Sequence, residues 1–252
     1  MLRLIYLLYG LIAYVAFVAA FLYAVGFIAD WGVPKGISDG TAAPWTVAVP
    51  VDLLLLALFA VQHNVMARPR FKAWWTRFVP QPVERSTFVL VASLLLMVLY
   101  WQWRPMPGAV WQVDNPIGRG LLWTLCGLGW ATVLYSSTVI DHFELFGLRQ
   151  VWMYFHGRQP EPPRFSERSI YRWVRHPLML GFLVAFWSPP TMTVGGLLFA
   201  VVTTSWILLS LRLEERDLER YLGEPYREYR ERTPMLIPVK WPLREAEPRK
   251  SS

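Results

Sequence analysis

Two short polar clusters bracket an apolar stretch late in this chain. Arg175-His176-Pro177-Leu178-Met179-Leu180-Gly181 opens it. Glu214-Glu215-Arg216-Asp217-Leu218 closes it, followed by Leu222-Gly223-Glu224-Pro225-Tyr226-Arg227-Glu228-Tyr229, Arg230 and Thr233-Pro234. Proline suits the first turn of a helix, where its missing N–H costs nothing, so Pro177 predicts a helix start with His176 near its cap. The amides of such a start favour a carboxylate or another anion. Gly181, one turn later, lets a ligand or a neighbouring helix come close. Glu214, Glu215, Asp217 and the rings of Tyr226 and Tyr229 suit a cation, through charge and cation–π attraction. Each cluster alone also has an ordinary reading. Arg175 can anchor to lipid headgroups while His176 only caps, and the acidic run can be a helix lying on a membrane. The second of these is weakened by Glu215/Glu219 and Arg216/Arg220, like-charged pairs four apart that destabilise a helix.

Four more residues could do proton chemistry. His63 and His142 each fall where an apolar helix ends. There an imidazole can accept a proton from a bound group, or can merely cap the helix C-terminus. Asp141 and Glu144, three apart, can share a pocket with His142 or pair with nearby arginines. Cys126 is the single cysteine, mid-helix beside Gly127. No intramolecular disulfide is possible, and a buried thiol in apolar surroundings is a packing residue before it is a nucleophile. The histidines lack metal-ligand spacing, so no metal site is expected.

The elements that must position these groups are membrane helices. Of the 252 residues, 54% are hydrophobic, and they gather in long runs rather than alternating along surface helices. Residues 4–28 carry no charge and are too long for a signal-peptide core, so they read as a retained first helix. Further spans are expected at 46–61, 87–103 and 121–140, with a last pair at 178–187 and 192–211 split by Ser188-Pro189-Pro190. The first arm of that pair is short for a crossing of roughly 20 residues, and two prolines force the chain out of helix. A helical hairpin that enters and leaves by one face is the economical reading; one long kinked helix is the alternative. The expected fold is therefore all-α and polytopic, with about five membrane-embedded segments and an amphipathic C-terminal tail. Residues 1–105 form an N-terminal helical half and 106–252 a ligand-binding half. In the tail, Gly223-Glu224-Pro225 should break the helix. An irregular loop is expected over 157–165, and a frayed end beyond Trp241.

The net charge of +7 admits a nucleic-acid partner, but its distribution argues for topology instead. With a cytoplasmic N-terminus, 22 of the 25 Lys and Arg fall on the inside and only Lys35, Arg104 and Arg119 outside. That is the asymmetry of the positive-inside rule, and it places the amino terminus, the carboxy terminus and the polar clusters in the cytosol.

Residues 169–238 resemble the cofactor-binding half of the isoprenylcysteine carboxyl methyltransferase family of integral-membrane enzymes. The resemblance rests on Arg175-His176-Pro177 with Gly181, on Glu214-Glu215, and on Gly223, Tyr226, Tyr229, Arg230, Arg232 and Pro234. Met179 stands where that family often has tyrosine, which puts a ring contact from that position in doubt. A longer likeness, over residues 60–240, is to bacterial methanethiol S-methyltransferases and the neighbouring NnrU-like membrane family. It is carried by Gln62-His63-Asn64-Val65-Met66-Ala67-Arg68, by Phe71-Lys72, by Pro82-Val83-Glu84-Arg85-Ser86 and by Asp141-His142-Phe143-Glu144-Leu145-Phe146-Gly147-Leu148-Arg149-Gln150. The resemblance implies S-adenosylmethionine as cofactor, held by Arg175, His176, Pro177, Leu178, Gly181, Glu214, Glu215, Tyr226, Tyr229 and Arg230. It implies a small volatile thiol as substrate, the inner membrane of a bacterium as location, and His142, His63, Asp141 and Glu144 as catalytic candidates. It also leaves open a non-catalytic component of nitrogen-oxide metabolism and a prenylcysteine carboxyl methyltransferase.

Overall fold

The structure, a computed structural model, describes residues 1–158 and 168–238. The expectations for the irregular run over 159–165 and for the chain past Trp241 lie outside these residues. Among the described residues, five helices are long and apolar enough to cross a membrane: α1 (Leu2–Ala29), α2 (Trp45–Ala67), α4 (Gln81–Gln102), α5 (Pro116–Ile140) and α9 (Val194–Leu222). Between them lie the short helices α3 (Pro69–Trp75), α6 (His142–Leu145), α7 (Leu148–Phe155) and α8 (Pro177–Trp187), and α10 (Glu224–Arg232) follows. Two strands, β1 (Ala109–Gln112) and β2 (Thr191–Thr193), pair antiparallel. The long helices turn apolar side chains outward: Ile12 is 63% exposed, Val15 65% and Leu121 66%. That pattern fits hydrocarbon as the surrounding solvent, because in water such surface would be buried.

Helix ends follow local chemistry. Asn115 accepts hydrogen bonds from the amides of Ile117 and Gly118 and so caps α5, with Pro116 in the first turn. Pro50 sits inside α2, as membrane helices tolerate. α8 has 11 residues, about 16 Å of helix against a hydrocarbon core of about 30 Å, and it stops at Ser188-Pro189-Pro190 rather than running on as a kinked helix. The chain then passes through β2, which pairs with β1 from the α4–α5 connection, before α9 begins. The stretch from Arg212 is a direct continuation of α9, which ends at Gly223 with φ 67°. Among its described residues, the connection between α5 and α8 contains two helices and a 3-10 turn (Ser169–Arg172).

The elements sort to two ends of the bundle. At one, Lys35 Nζ donates to the carbonyls of Trp101 and Trp103, and Arg104 N donates to the buried Asp52 carboxylate. The β pair lies at this end too, where Val113 N donates to the Pro190 carbonyl and Trp111 Nε1 to that of Pro189. At the other lie the start of α1, the end of α2, α6, α7, the start of α8 and α10. Here Arg68 pairs with Asp217 at 2.6 Å and Asn64 Nδ2 donates to Ser210 Oγ at 3.1 Å, tying α2 to α9.

The tightest helix contact is α5 against α8. A Cβ placed on Gly181 would lie 2.7 Å from the Gly129 carbonyl oxygen, and one on Gly129 would lie 2.7 Å from Ala185 N. Of the two uses open to Gly181, the structure shows close approach of a helix. Both obstacles are backbone, so neither can swing aside. Gly181→Val is expected to lower stability by about 1–3 kcal/mol or prevent insertion. A thermal melt in detergent checks this, and an unchanged midpoint would contradict it.

Candidate active site

Arg175 and His176 sit at the N-terminus of α8, and Glu215 reaches them from the last turns of α9. Arg175 Nε donates to Glu215 Oε1 at 2.7 Å, and His176 Nε2 lies 3.1 Å from the same oxygen. The three side chains are 8%, 10% and 12% exposed, so this is a largely desolvated cluster whose charges depend on one another. Arg175 Nη1 also donates to the Arg230 carbonyl at 2.8 Å and to that of Thr233. The backbone completes the closure: Arg175 N donates to the Pro234 carbonyl at 2.9 Å and His176 N to that of Met235 at 3.1 Å. Thus both predicted clusters and the tail meet in one knot.

Tyr226 and Tyr229 are buried beneath it on α10, and Tyr229 Oη donates to the Tyr171 carbonyl at 2.6 Å. Burial, followed by neighbouring Glu215, pushes the Tyr226 phenol up. Burial does the same to Tyr171, aided by Tyr229 and Glu214, so both remain protonated donors. The Arg230 guanidinium turns away to Glu219, 2.8 Å off, and contributes to the knot through its carbonyl. Leu178 is half-buried on α8. Glu215 is therefore an internal strut, while Glu214, one residue earlier and about 100° around the helix, is exposed. His176 makes no side-chain cap, so the first-turn amides of α8 are not covered by their own capping residue.

His142 follows the end of α5. Its Nε2 is 2.8 Å from Tyr14 Oη on α1, and its Nδ1 is 2.9 Å from Ser137 Oγ on α5. Asp141 and Glu144 do not touch the ring. Asp141 Oδ1 caps α6 by accepting from Glu144 N at 3.0 Å, and both carboxylates pair with Arg149 from α7. Burial holds the His142 pKa below the ordinary histidine value, and the Asp141 charge opposes this only in part, so the ring is neutral at pH 7.

His63 lies between the rings of Phe59 and Phe88, at centroid distances of 5.4 and 5.0 Å. The Arg85 guanidinium sits 4.7 Å from the Phe88 centroid and donates through Nε to the Leu145 carbonyl at 2.8 Å. Glu84, Glu144 and Glu214 act on Arg85 through space, and Arg85 acts on His63. Gly147, at φ 83°, allows this approach of α4, because a Cβ there would lie 2.6 Å from Ser86 N. Phe146 stacks on Phe17 at 3.7 Å and lies 4.9 Å from His142. Phe17 and Phe146 pack into one apolar cluster with Met66 and Phe88, and each histidine lies against a ring of it. Arg85, Tyr14 and Ser137 are the residues that the sequence reading did not single out for chemistry. Arg85 falls before the span expected at 87–103 and so reads as a loop residue, and no spacing marks the other two. Cys126 is buried with Sγ 3.5 Å from the Ala185 carbonyl, a packing position.

These features define a polytopic helical membrane protein with its candidate site side chains gathered at one end of the bundle. Comparison with known proteins narrows the class. Residues 53–233 match the family model described as NnrU protein. The chain is 54% identical over 242 residues to a methanethiol S-methyltransferase of Mycobacterium tuberculosis, covering 96% of this chain and 98% of that one. It is 53% identical over 231 residues to methanethiol S-methyltransferase 1 of Bradyrhizobium diazoefficiens, covering 92% and 81%. A more distant relative is Nurim of Mus musculus, 31% identical over 179 residues and covering 68% of each chain. No solved structure matches. The chain belongs to the NnrU protein family.

Proposed function

We propose that this protein is a methyltransferase that methylates methanethiol to dimethyl sulfide with S-adenosylmethionine as donor. It works in a bacterial inner membrane, with its N-terminus, C-terminal tail and active site facing the cytoplasm. The observation that carries the reading is the knot of Arg175, His176 and Glu215, which brings the two clusters of the methyltransferase-like motif together next to an exposed Glu214. High identity to methanethiol S-methyltransferases over nearly the whole chain supports the substrate. The gathering of arginines at the site end supports the orientation.

The residues present fit the cofactor. The first-turn amides of α8, around Leu178, suit its carboxylate, and Glu214 is an open acceptor for its ammonium or ribose groups. When bound, S-adenosylmethionine supplies an electrophilic methyl group on a sulfonium cation. Arg175 and Glu215 hold α8, α9 and the tail in register around it. Phe17, Phe88 and Phe146 supply an apolar, polarisable wall suited to a small thiol. His142, neutral and at the end of α5, is the base that takes the thiol's proton, while His63 lines the same wall. Rate enhancement then comes chiefly from proximity in a site with little water.

Labelled S-adenosylmethionine offered with methanethiol, hydrogen sulfide and a prenylcysteine tests the substrate class, and turnover is expected with methanethiol. Calorimetry with S-adenosylhomocysteine tests the site: binding is expected in the wild type and lost in His176→Ala and Glu214→Ala. Undiminished binding in both variants would move the cofactor elsewhere.

A further inference from the structure

The hydrogen bonds around His142 fix where its proton sits. Ser137 has one hydroxyl hydrogen, and its Oγ is 2.7 Å from the Leu134 carbonyl oxygen and 2.9 Å from His142 Nδ1. A carbonyl cannot donate, so the hydrogen lies on the Leu134 side. Ser137 Oγ then faces Nδ1 with lone pairs alone, which requires Nδ1 to carry the ring proton. Nε2 is left with its lone pair, and Tyr14 Oη, 2.8 Å away, donates to it. The basic nitrogen is thus covered by a tyrosine hydroxyl rather than open to a substrate.

We propose that Tyr14 is a catalytic residue that relays the thiol's proton to His142; this rests on the reading of the protein as a thiol methyltransferase. The thiol S–H bond breaks as its hydrogen passes to Tyr14 Oη, while Tyr14's own hydrogen passes to His142 Nε2. The sulfur electron pair forms the new bond to the methyl carbon as the old sulfonium C–S bond breaks. Tyr14 ends neutral, His142 ends as imidazolium, and one positive charge is present before and after. The surroundings suit such a substrate. Phe17 and Phe143 lie at centroid distances of 6.1 Å from Tyr14, and Phe143 is 53% exposed, so an apolar thiol meets rings on its way in. Among the described residues, the charged groups around the ring are Asp141 and Glu144 on its own element and Arg149 from α7, already paired together. The dyad is joined to the binding knot: Tyr171 Oη donates to the Ser136 carbonyl, and Tyr229 holds the Tyr171 carbonyl.

The test uses the full chain in nanodiscs, with Tyr14→Phe, His142→Gln and the double variant. Each single change is expected to lower kcat for methanethiol by about 10²-fold or more, with the double no worse than either, because the two act as one unit. Binding of S-adenosylhomocysteine should stay within threefold of wild type. Ring nitrogen resonances should show a protonated Nδ1 and a bare Nε2, and Tyr14→Phe should raise the pH at which His142 titrates. Ser137→Ala, which frees the ring to take its other tautomer, should cost about tenfold in kcat; it decides the matter if Tyr14→Phe does not fold. A Tyr14→Phe enzyme within threefold of wild type, a proton found on Nε2, or an unaffected Ser137→Ala would each overturn the relay alone. A wild type that neither binds S-adenosylhomocysteine nor methylates methanethiol would instead remove the functional reading beneath it.

Discussion

His142→Ala is expected to lower kcat by about 10²–10⁴-fold while leaving S-adenosylhomocysteine affinity nearly unchanged, the signature of a lost proton acceptor. A small alkyl thiol is mostly protonated at neutral pH, and an apolar site raises its pKa further by disfavouring the anion. The proposed reaction therefore needs an acceptor, and burial keeps His142 in the neutral form that such a role requires. Burial lowers its folded pKa below the unfolded value near 6.5, so the acid limb of the kcat profile should lie below that pH and disappear in the variant. The sign for stability follows. The unfolded chain binds the proton more readily, so this residue's contribution is intact above the unfolded pKa and is lost as pH falls towards the folded one. A variant within a few-fold of wild type at pH 7 would reduce His142 to a helix cap.

The second large effect is expected at Glu215. Removing its carboxylate by Glu215→Ala leaves Arg175 as a nearly buried cation without its anionic partner, which costs about 3–5 kcal/mol. The melting midpoint should fall and cofactor binding should be lost with it. Glu214→Ala makes the informative contrast. That side chain is exposed, so its loss should change stability by no more than about 0.5 kcal/mol while abolishing binding. Equal melting midpoints for the two variants would mean that the strut and the ligand contact have been assigned to the wrong residues.

That contrast also marks what could be read from the sequence. Glu214 and Glu215 were equivalent as letters. Which one points inward depends on the phase of α9 against α8, a tertiary property. The membrane spans were legible because long charge-free runs admit few alternatives, yet two starts came late. α4 begins at Gln81 rather than near Thr87 because Pro82, Glu84 and Arg85 are helical residues that a hydropathy reading assigns to the loop. α5 begins at Pro116 rather than near 121, although Asn115-Pro116 is a readable cap. The β1–β2 pair had no sequence signature, since a three-residue strand is defined by its partner. At the site, Arg175, His176, Glu215, Tyr226 and Tyr229 were legible as a group by type and spacing, and the structure does bring them together. Tyr14 was not, because the only thing that distinguishes it from other tyrosines on α1 is a histidine 128 positions away. Asp141 and Glu144 were legible as carboxylates, but Arg149 takes both.

The knot around Arg175 bears on how the protein is made. Arg175 and His176 emerge from the ribosome well before the carbonyls of Arg230, Thr233, Pro234 and Met235 that hold them, Thr233 being 58 positions later. During that interval α8 is already apolar enough to leave the translocon, while its two polar leaders can meet Glu215 but none of the tail carbonyls. The last described segment of the chain is thus a clasp, and the site exists only after it shuts. Nascent chains lacking it would carry all the membrane helices and no activity. A stop codon at position 228 should therefore yield a protein that inserts normally but no longer binds S-adenosylhomocysteine and melts at a lower temperature.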